Sequence, residues 1–125
     1  MAHVLLVALG GAIGSVLRFL TGMLALRLMG PNFPWGTLTV NVVGSFAIGL
    51  ISHLILTRLG GSEALRLLLI TGVLGGFTTF SAFTLDTIAL AERGAVVAPL
   101  VYVLASVCLS IGAAVAGLAI ARSIG

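Results

Sequence analysis

Four long apolar stretches joined by short polar turns occupy nearly all of the chain: residues 4–26, 35–57, 67–90 and 96–121. Each exceeds the ~20 residues a helix needs to cross a hydrocarbon core of about 30 Å. The pattern predicts an all-α integral membrane protein of four transmembrane helices, forming a single membrane domain over residues 1–125. The connections agree with it. Met29-Gly30-Pro31-Asn32-Phe33-Pro34-Trp35 is dense in turn formers and ends in a tryptophan suited to the membrane interface. Arg58-Leu59-Gly60-Gly61-Ser62-Glu63 reads as a glycine helix stop, followed by Ser62 as an N-cap with Glu63 in the first turn. Pro99 falls in the opening turn of the last span, where a missing amide is tolerated. Gly10 and Gly14 have the small-residue spacing that lets helices approach closely in lipid.

The third stretch is the irregular one. It contains Gly75-Gly76-Phe77-Thr78-Thr79-Phe80-Ser81-Ala82-Phe83-Thr84, in which two adjacent glycines and two β-branched threonines weaken a helix. In lipid, each backbone group freed by such a break costs several kcal/mol unless protein, water or an ion satisfies it. A helix broken at mid-depth and lined with hydroxyls and phenyl rings predicts a pathway for a small solute.

Polar residues elsewhere extend that pathway. In the second span Thr37, Asn41 and Ser45 lie four apart, and Tyr102, Ser106 and Ser110 repeat the spacing in the fourth. Positions four apart share one helix face, so each span carries a ladder of hydroxyl or amide groups. The third span adds Thr79, Phe80, Ser81, Phe83, Thr84 and Thr87. Neutral donors suit a small anion, because they replace part of its hydration shell without a countercharge that would trap it. Phenyl rings presented edge-on offer an anion their positive rim. Single hydroxyls in membrane helices usually bond back to their own helix, and phenylalanine usually packs. The coincidence of two ladders, a broken helix and paired rings is what points to a pathway.

Composition sharpens the picture by exclusion. The chain is 60% apolar and only 7% charged, too few charges to cover a soluble domain of this size. Its net charge of +3 comes from scattered arginines without a basic stripe, so no nucleic-acid partner is expected. Cys108 is the only cysteine and reads as a small apolar residue of the fourth span. The start lacks a basic n-region and its apolar run outlasts an h-region, so it is expected to stay in the mature protein. There is no phosphate-loop motif for ATP and no nucleophile, base and acid set, so an enzyme is not expected.

With four crossings, Arg58, Arg66 and Arg122 fall on one side and Arg27 and Arg93 on the other. Orientation follows the lysine and arginine excess in short loops, and here the bias is near nil. Charge alone leaves two readings: chains inserted both ways and paired as an antiparallel homodimer, or one orientation chosen by a weak bias. Arg18 lies deep in the first span, where it must snorkel, pair or face a polar vestibule. Asp86, one turn beyond Phe83, is expected to pair with an arginine, with a vestibule cap or proton relay as the other roles. His53 reads as interfacial.

Three segments carry a resemblance over essentially the whole chain: Gly10-Gly11-x-x-Gly14 with Arg18; Trp35-Gly36-Thr37-Leu38-x-x-Asn41-x-x-Gly44-Ser45-Phe46; and Thr71-Gly72-x-x-Gly75-Gly76-Phe77-Thr78-Thr79-Phe80-Ser81. In these the chain resembles the Fluc/CrcB family of fluoride channels. The resemblance implies an antiparallel, dual-topology homodimer in the inner (plasma) membrane, with two fluoride pores built from both subunits. It implies Asn41 as a fluoride-coordinating amide, Phe80 and Phe83 as the rings contacting fluoride, and Ser106, Ser110 and Tyr102 as a polar track. Thr37 and Thr79 are expected beside that track, and Arg18 in the vestibule. The resemblance further implies a structural sodium ion at the dimer interface, held by the main-chain carbonyls of Gly75 and Thr78 from each subunit. The expected activity is passive fluoride export that protects the cytoplasm. The alternative weighed is a small proton-coupled multidrug exporter, also a four-span dual-topology dimer. It needs an acid deep in the first span, where this chain has Arg18 instead.

Overall fold

A computed structural model describes residues 1–124, and among them every regular element is helical. Helix α1 spans Ala2–Met29 and α2 spans Trp35–Thr57. The third crossing, Glu63–Glu92, is divided into α3 (residues 63–77) and α4 (Ser81–Glu92), and α5 closes the chain over Val97–Ile124. Four crossings are long and apolar enough to span a membrane, so the chain is a multi-pass membrane protein. Helix α2 covers the same residues as its apolar stretch. Helix α1 and the third crossing run two to four residues past theirs at each end, and α5 three past its C-terminal end, because flanking residues continue a helix that hydropathy alone cannot see.

The ends of the bundle are tied as four crossings require. Arg93 Nη2 donates to the Asn32 carbonyl at 2.9 Å, joining the first and third loops. At the other end Arg58 Nη2 donates to the carbonyl of Ile124 at 2.6 Å, joining the second loop to the end of α5. Gly60 and Gly61 turn the second loop at φ of 70° and 68°, a region open to glycine at no steric cost. Ser62 then caps α3, its Oγ accepting the Leu65 N–H at 3.2 Å.

Close approach through small residues builds the packing. The most extensive helix contact joins α2 to α5, where Gly49 and Gly117 face each other's helix so closely that a methyl on either would meet the opposing backbone. Helix α1 lies along α3 and against α2, and Gly10 and Gly14 meet the backbone of α3, the packing role their spacing predicts. The interior is small: Val40 and Tyr102 are its largest wholly buried side chains. Phe19, Leu104 and Ile111 point outward, as a lipid-facing surface allows.

The break in the third crossing differs from the expectation. Gly75 and Gly76 do not interrupt the helix: both lie in it, with Gly75 at φ −62° and ψ −37°. Their service is proximity, since a Cβ on Gly76 would come within 2.6 Å of the Gly11 carbonyl oxygen. The chain departs at Thr78, whose backbone is extended at φ −88° and ψ 159°, and helix resumes at Ser81. The reason is competition for backbone partners. Thr78 keeps its N–H on the Leu74 carbonyl at 3.0 Å, with its Oγ1 donating to the same oxygen at 2.9 Å, while the N–H and carbonyl of Thr79 are taken by a side chain of α2. Ahead of the break, Arg66–Leu74 is wound as a π-helix, and the Gly75 N–H bonds the carbonyls of Ile70 and Gly72.

Candidate functional site

Asn41 is the residue that shapes the break. Its Nδ2 donates to the Thr79 carbonyl at 2.9 Å, and its Oδ1 accepts the Thr79 N–H at 2.8 Å. One side chain thus satisfies both the N–H and the carbonyl of Thr79, two backbone groups that the helix has released. A primary amide has two N–H donors, so the second remains for another acceptor.

Next to it lies a cavity of about 350 Å³, bounded by Asn41 and Ser45 from α2, Thr79, Phe80 and Phe83 from the break and α4, and Ser106 and Ser110 from α5. The hydroxyls of Ser106 and Ser110 are buried there, and neither has a hydrogen-bond partner. An unsatisfied buried hydroxyl costs about 1–3 kcal/mol, so its retention calls for a partner from outside the chain. Phe80 and Phe83 lie with ring centroids 5.5 Å apart at 53°, and Phe83 continues to Tyr102 at 5.2 Å. Hydroxyl and amide groups together with two phenyl rings line one cavity, the chemistry that a small anion would need.

This geometry divides the sequence candidates. Asn41, Phe80, Phe83, Ser106, Ser110 and Thr79 meet at one cavity. Thr37 lies apart, in the cavity at the first-loop mouth together with Asp86 and Arg93. Tyr102 is wholly buried, and its hydroxyl donates to Asp86 Oδ2 at 3.2 Å. That replaces the expected arginine partner of Asp86: Arg93 lines the same cavity but gives its hydrogen bond to Asn32. Thr84 and Thr87 drop out of the polar set, because each donates to a carbonyl one turn back, Phe80 at 2.9 Å and Phe83 at 2.8 Å. Thr79 Oγ1 accepts the Ala82 N–H at 3.1 Å and so starts α4. Phe33, unremarked in the sequence, meets Tyr102 edge-on at 5.4 Å. Its place among prolines and an interfacial tryptophan was the available signal.

Arg18 reaches the break from the opposite side. Its Nε donates to the Gly76 carbonyl at 3.0 Å, and the side chain borders a groove of about 370 Å³ shared with Thr37 and Thr79. Gly75 and Thr78 border a separate, smaller cavity of about 180 Å³. Among the described residues, neither of their carbonyls accepts a hydrogen bond.

Removing the Ser106 and Ser110 hydroxyls tests what they are for. Ser106→Ala with Ser110→Ala is expected to leave the melting temperature in detergent unchanged or raised, since two unsatisfied groups disappear. Anion flux should fall about fivefold or more for the pair, the loss of about one neutral hydrogen bond's net energy. A lower melting temperature with unchanged flux would make both serines structural.

A four-span membrane protein with a broken third helix and a cavity lined by polar groups and phenyl rings is a solute conduit in class. Comparison with known proteins narrows the class. Residues 5–118 match the family described as CrcB-like protein, Camphor Resistance (CrcB). The chain is 63% identical over 124 residues to a fluoride-specific ion channel FluC of Rhizobium etli (strain CIAT 652), covering 99% of each. It is 58% identical over 124 residues to the FluC of Agrobacterium fabrum and 56% identical over 124 residues to that of Mesorhizobium japonicum, again covering 99% of each. This chain belongs to the CrcB family.

Proposed function

We propose that this protein is a fluoride-selective channel of the plasma membrane, conducting fluoride passively down its electrochemical gradient and so conferring fluoride resistance. The observation that carries the reading is the pair of buried, partnerless hydroxyls of Ser106 and Ser110, facing a cavity that also holds Asn41 and two phenyl rings. The relatives' name supplies the ion. Fluoride is the smallest halide and the strongest hydrogen-bond acceptor among them, so hydroxyl and amide donors recover much of its hydration. Larger halides fit poorly among rigid ring edges. The protein is a conduit and not an enzyme, since no bond in the solute is made or broken.

We infer an order of contacts in which the Arg18 groove and the polar cavity, which share Thr79, are taken in turn. An anion enters beside the Arg18 groove, where a guanidinium favours negative charge. It then takes the second N–H of Asn41 and moves past the edges of Phe80 and Phe83 to the Ser106 and Ser110 hydroxyls. Thr79 borders this route, Thr37 its mouth, and Tyr102 backs it.

The functional unit we infer is an antiparallel homodimer. Phe80 is 78% exposed and Gly75 is exposed, beside carbonyls without partners. Lipid cannot satisfy such carbonyls, whereas a second copy laid over the break would cover them and complete the ring-lined pore. The carbonyls of Gly75 and Thr78 suit a sodium ion at that interface: they are hard oxygen donors at a helix break with no competing hydrogen bond. Such an ion would supply charge that holds the paired breaks together.

Expression in a bacterial strain lacking its own fluoride exporter is the test in cells. Growth should be restored in fluoride medium by this chain and not by Asn41→Asp. Wild-type protein in the membrane without restored growth would reject the export reading. Light scattering of purified protein should give twice the 12.7 kDa chain mass, and a monomer would reject the shared pore.

A further inference from the structure

The cavity at the first-loop mouth, about 380 Å³, has a cation on its lining: Arg93. Its Nη2 donates to the Asn32 carbonyl at 2.9 Å, and among the described residues no carboxylate pairs with it. A backbone carbonyl is a neutral partner, so the guanidinium keeps its full charge, and most of its five N–H donors remain free. The backbone holds it in place as well. Arg93 closes α4, its N–H reaching the carbonyls of Ala89 and Ala91, and Gly94 at φ 82° then turns the chain away.

The mouth cavity does not stand alone. It shares Gly22, Leu26, Gly36 and Thr37 with the Arg18 groove, and that groove shares Thr79 with the polar cavity. Three spaces therefore adjoin in series, with Arg93 on the first and Arg18 on the second. An arginine at a helix C-terminus has an ordinary use in favouring the dipole, and a bond to a loop has an ordinary use as a tether. Neither use needs a place on a cavity lining or the absence of a countercharge. Arg93 is exposed, so an anion meeting it stays hydrated. A charge of that kind raises the local concentration of anions without trapping them, and a guanidinium cannot lose it by deprotonation.

We propose that Arg93 is the anion collector of the pore mouth: held over the mouth cavity by the Asn32 carbonyl, it draws fluoride from bulk water toward the Arg18 groove. The inference rests on the fluoride-channel reading and adds to it a residue outside the conducting cavity. Arg93 acts through charge at a distance and not through its bond to the loop, and the two causes respond differently to substitution and to salt. Glutamine keeps a donor for the Asn32 carbonyl and loses the charge; lysine keeps the charge.

The experiment measures single-channel fluoride current in planar bilayers at about 0.01 M potassium fluoride, where the screening length is about 30 Å, and again with about 1 M potassium isethionate added, where it is about 3 Å. At low ionic strength Arg93→Gln should pass about threefold less current than wild type, Arg93→Glu less again, and Arg93→Lys at least about half of the wild-type current. With the salt added, all four proteins should agree within about 1.5-fold. If Arg93→Gln does not fold, Arg93→Met carries the same comparison. Equal currents in wild type and Arg93→Gln at low ionic strength would overturn the proposal. So would a deficit that survives the added salt, or one that Arg93→Lys shares in full, either of which makes Arg93 a loop tether. Failure of the wild type to pass fluoride would instead overturn the channel reading on which the proposal stands.

Discussion

Asn41→Asp is expected to abolish fluoride efflux while the protein still inserts. The substitution keeps the size of the side chain and the acceptor for the Thr79 N–H, but loses the donor to the Thr79 carbonyl. It also removes the second N–H that faces the cavity and puts a negative charge there. A charge at membrane depth costs about 3 kcal/mol on insertion scales, and an anion approaching it meets repulsion besides. A penalty of that size corresponds to at least about a hundredfold loss of flux. Asn41→Leu should fail differently. It strands both the carbonyl and the N–H of Thr79 in a low-dielectric interior, so stability should fall along with flux. Retained flux in Asn41→Asp would mean that the amide shapes the break without meeting the ion.

The second large effect belongs to the rings. Phe80→Ile and Phe83→Ile should each cut fluoride flux about tenfold, the worth of an edge contact of about 1 kcal/mol compounded by a looser constriction. Isoleucine keeps the apolar bulk and loses the positive rim. The two variants should not behave alike in stability. Phe83 is partly buried and packs on Tyr102, so its loss disturbs the interior; Phe80 is 78% exposed in the single chain, so its loss should spare it. Normal oligomer size with reduced flux is the expected pair of results, measured by light scattering and ion efflux. Unchanged flux in both variants would remove ring edges from the mechanism.

Much of this architecture was legible because membrane crossings write themselves in hydropathy, and because a four-residue polar period marks a helix face. Asn41 with Ser45, and Ser106 with Ser110, do share one cavity. The period did not reveal which turn of a ladder meets which neighbour. Thr37 and Tyr102 continue their ladders toward the mouth and leave the cavity, because α4 brings Phe83 and Asp86 between. The break falls inside the expected segment, at its threonines and not at its glycines. Glycine lowers helix propensity, yet Gly76 is held in helix by close packing on α1, and the break falls where Asn41 offers the Thr79 peptide a better partner. That is a contact 38 residues away in sequence, invisible to local propensity. The π-wound stretch ahead of it has no local signature for the same reason. The back-bonding of Thr84 and Thr87 was the ordinary behaviour of hydroxyls in membrane helices, outweighed in the sequence by their neighbours.

The central claim is a selective, passive anion pathway, and one measurement addresses it directly. Purified protein is reconstituted in liposomes loaded with potassium fluoride or potassium chloride, and efflux is followed with ion-selective electrodes after valinomycin is added. Rapid fluoride release that requires valinomycin, with negligible chloride release, is the predicted result. Silence toward both ions from a demonstrably folded protein, or equal release of both, would contradict it.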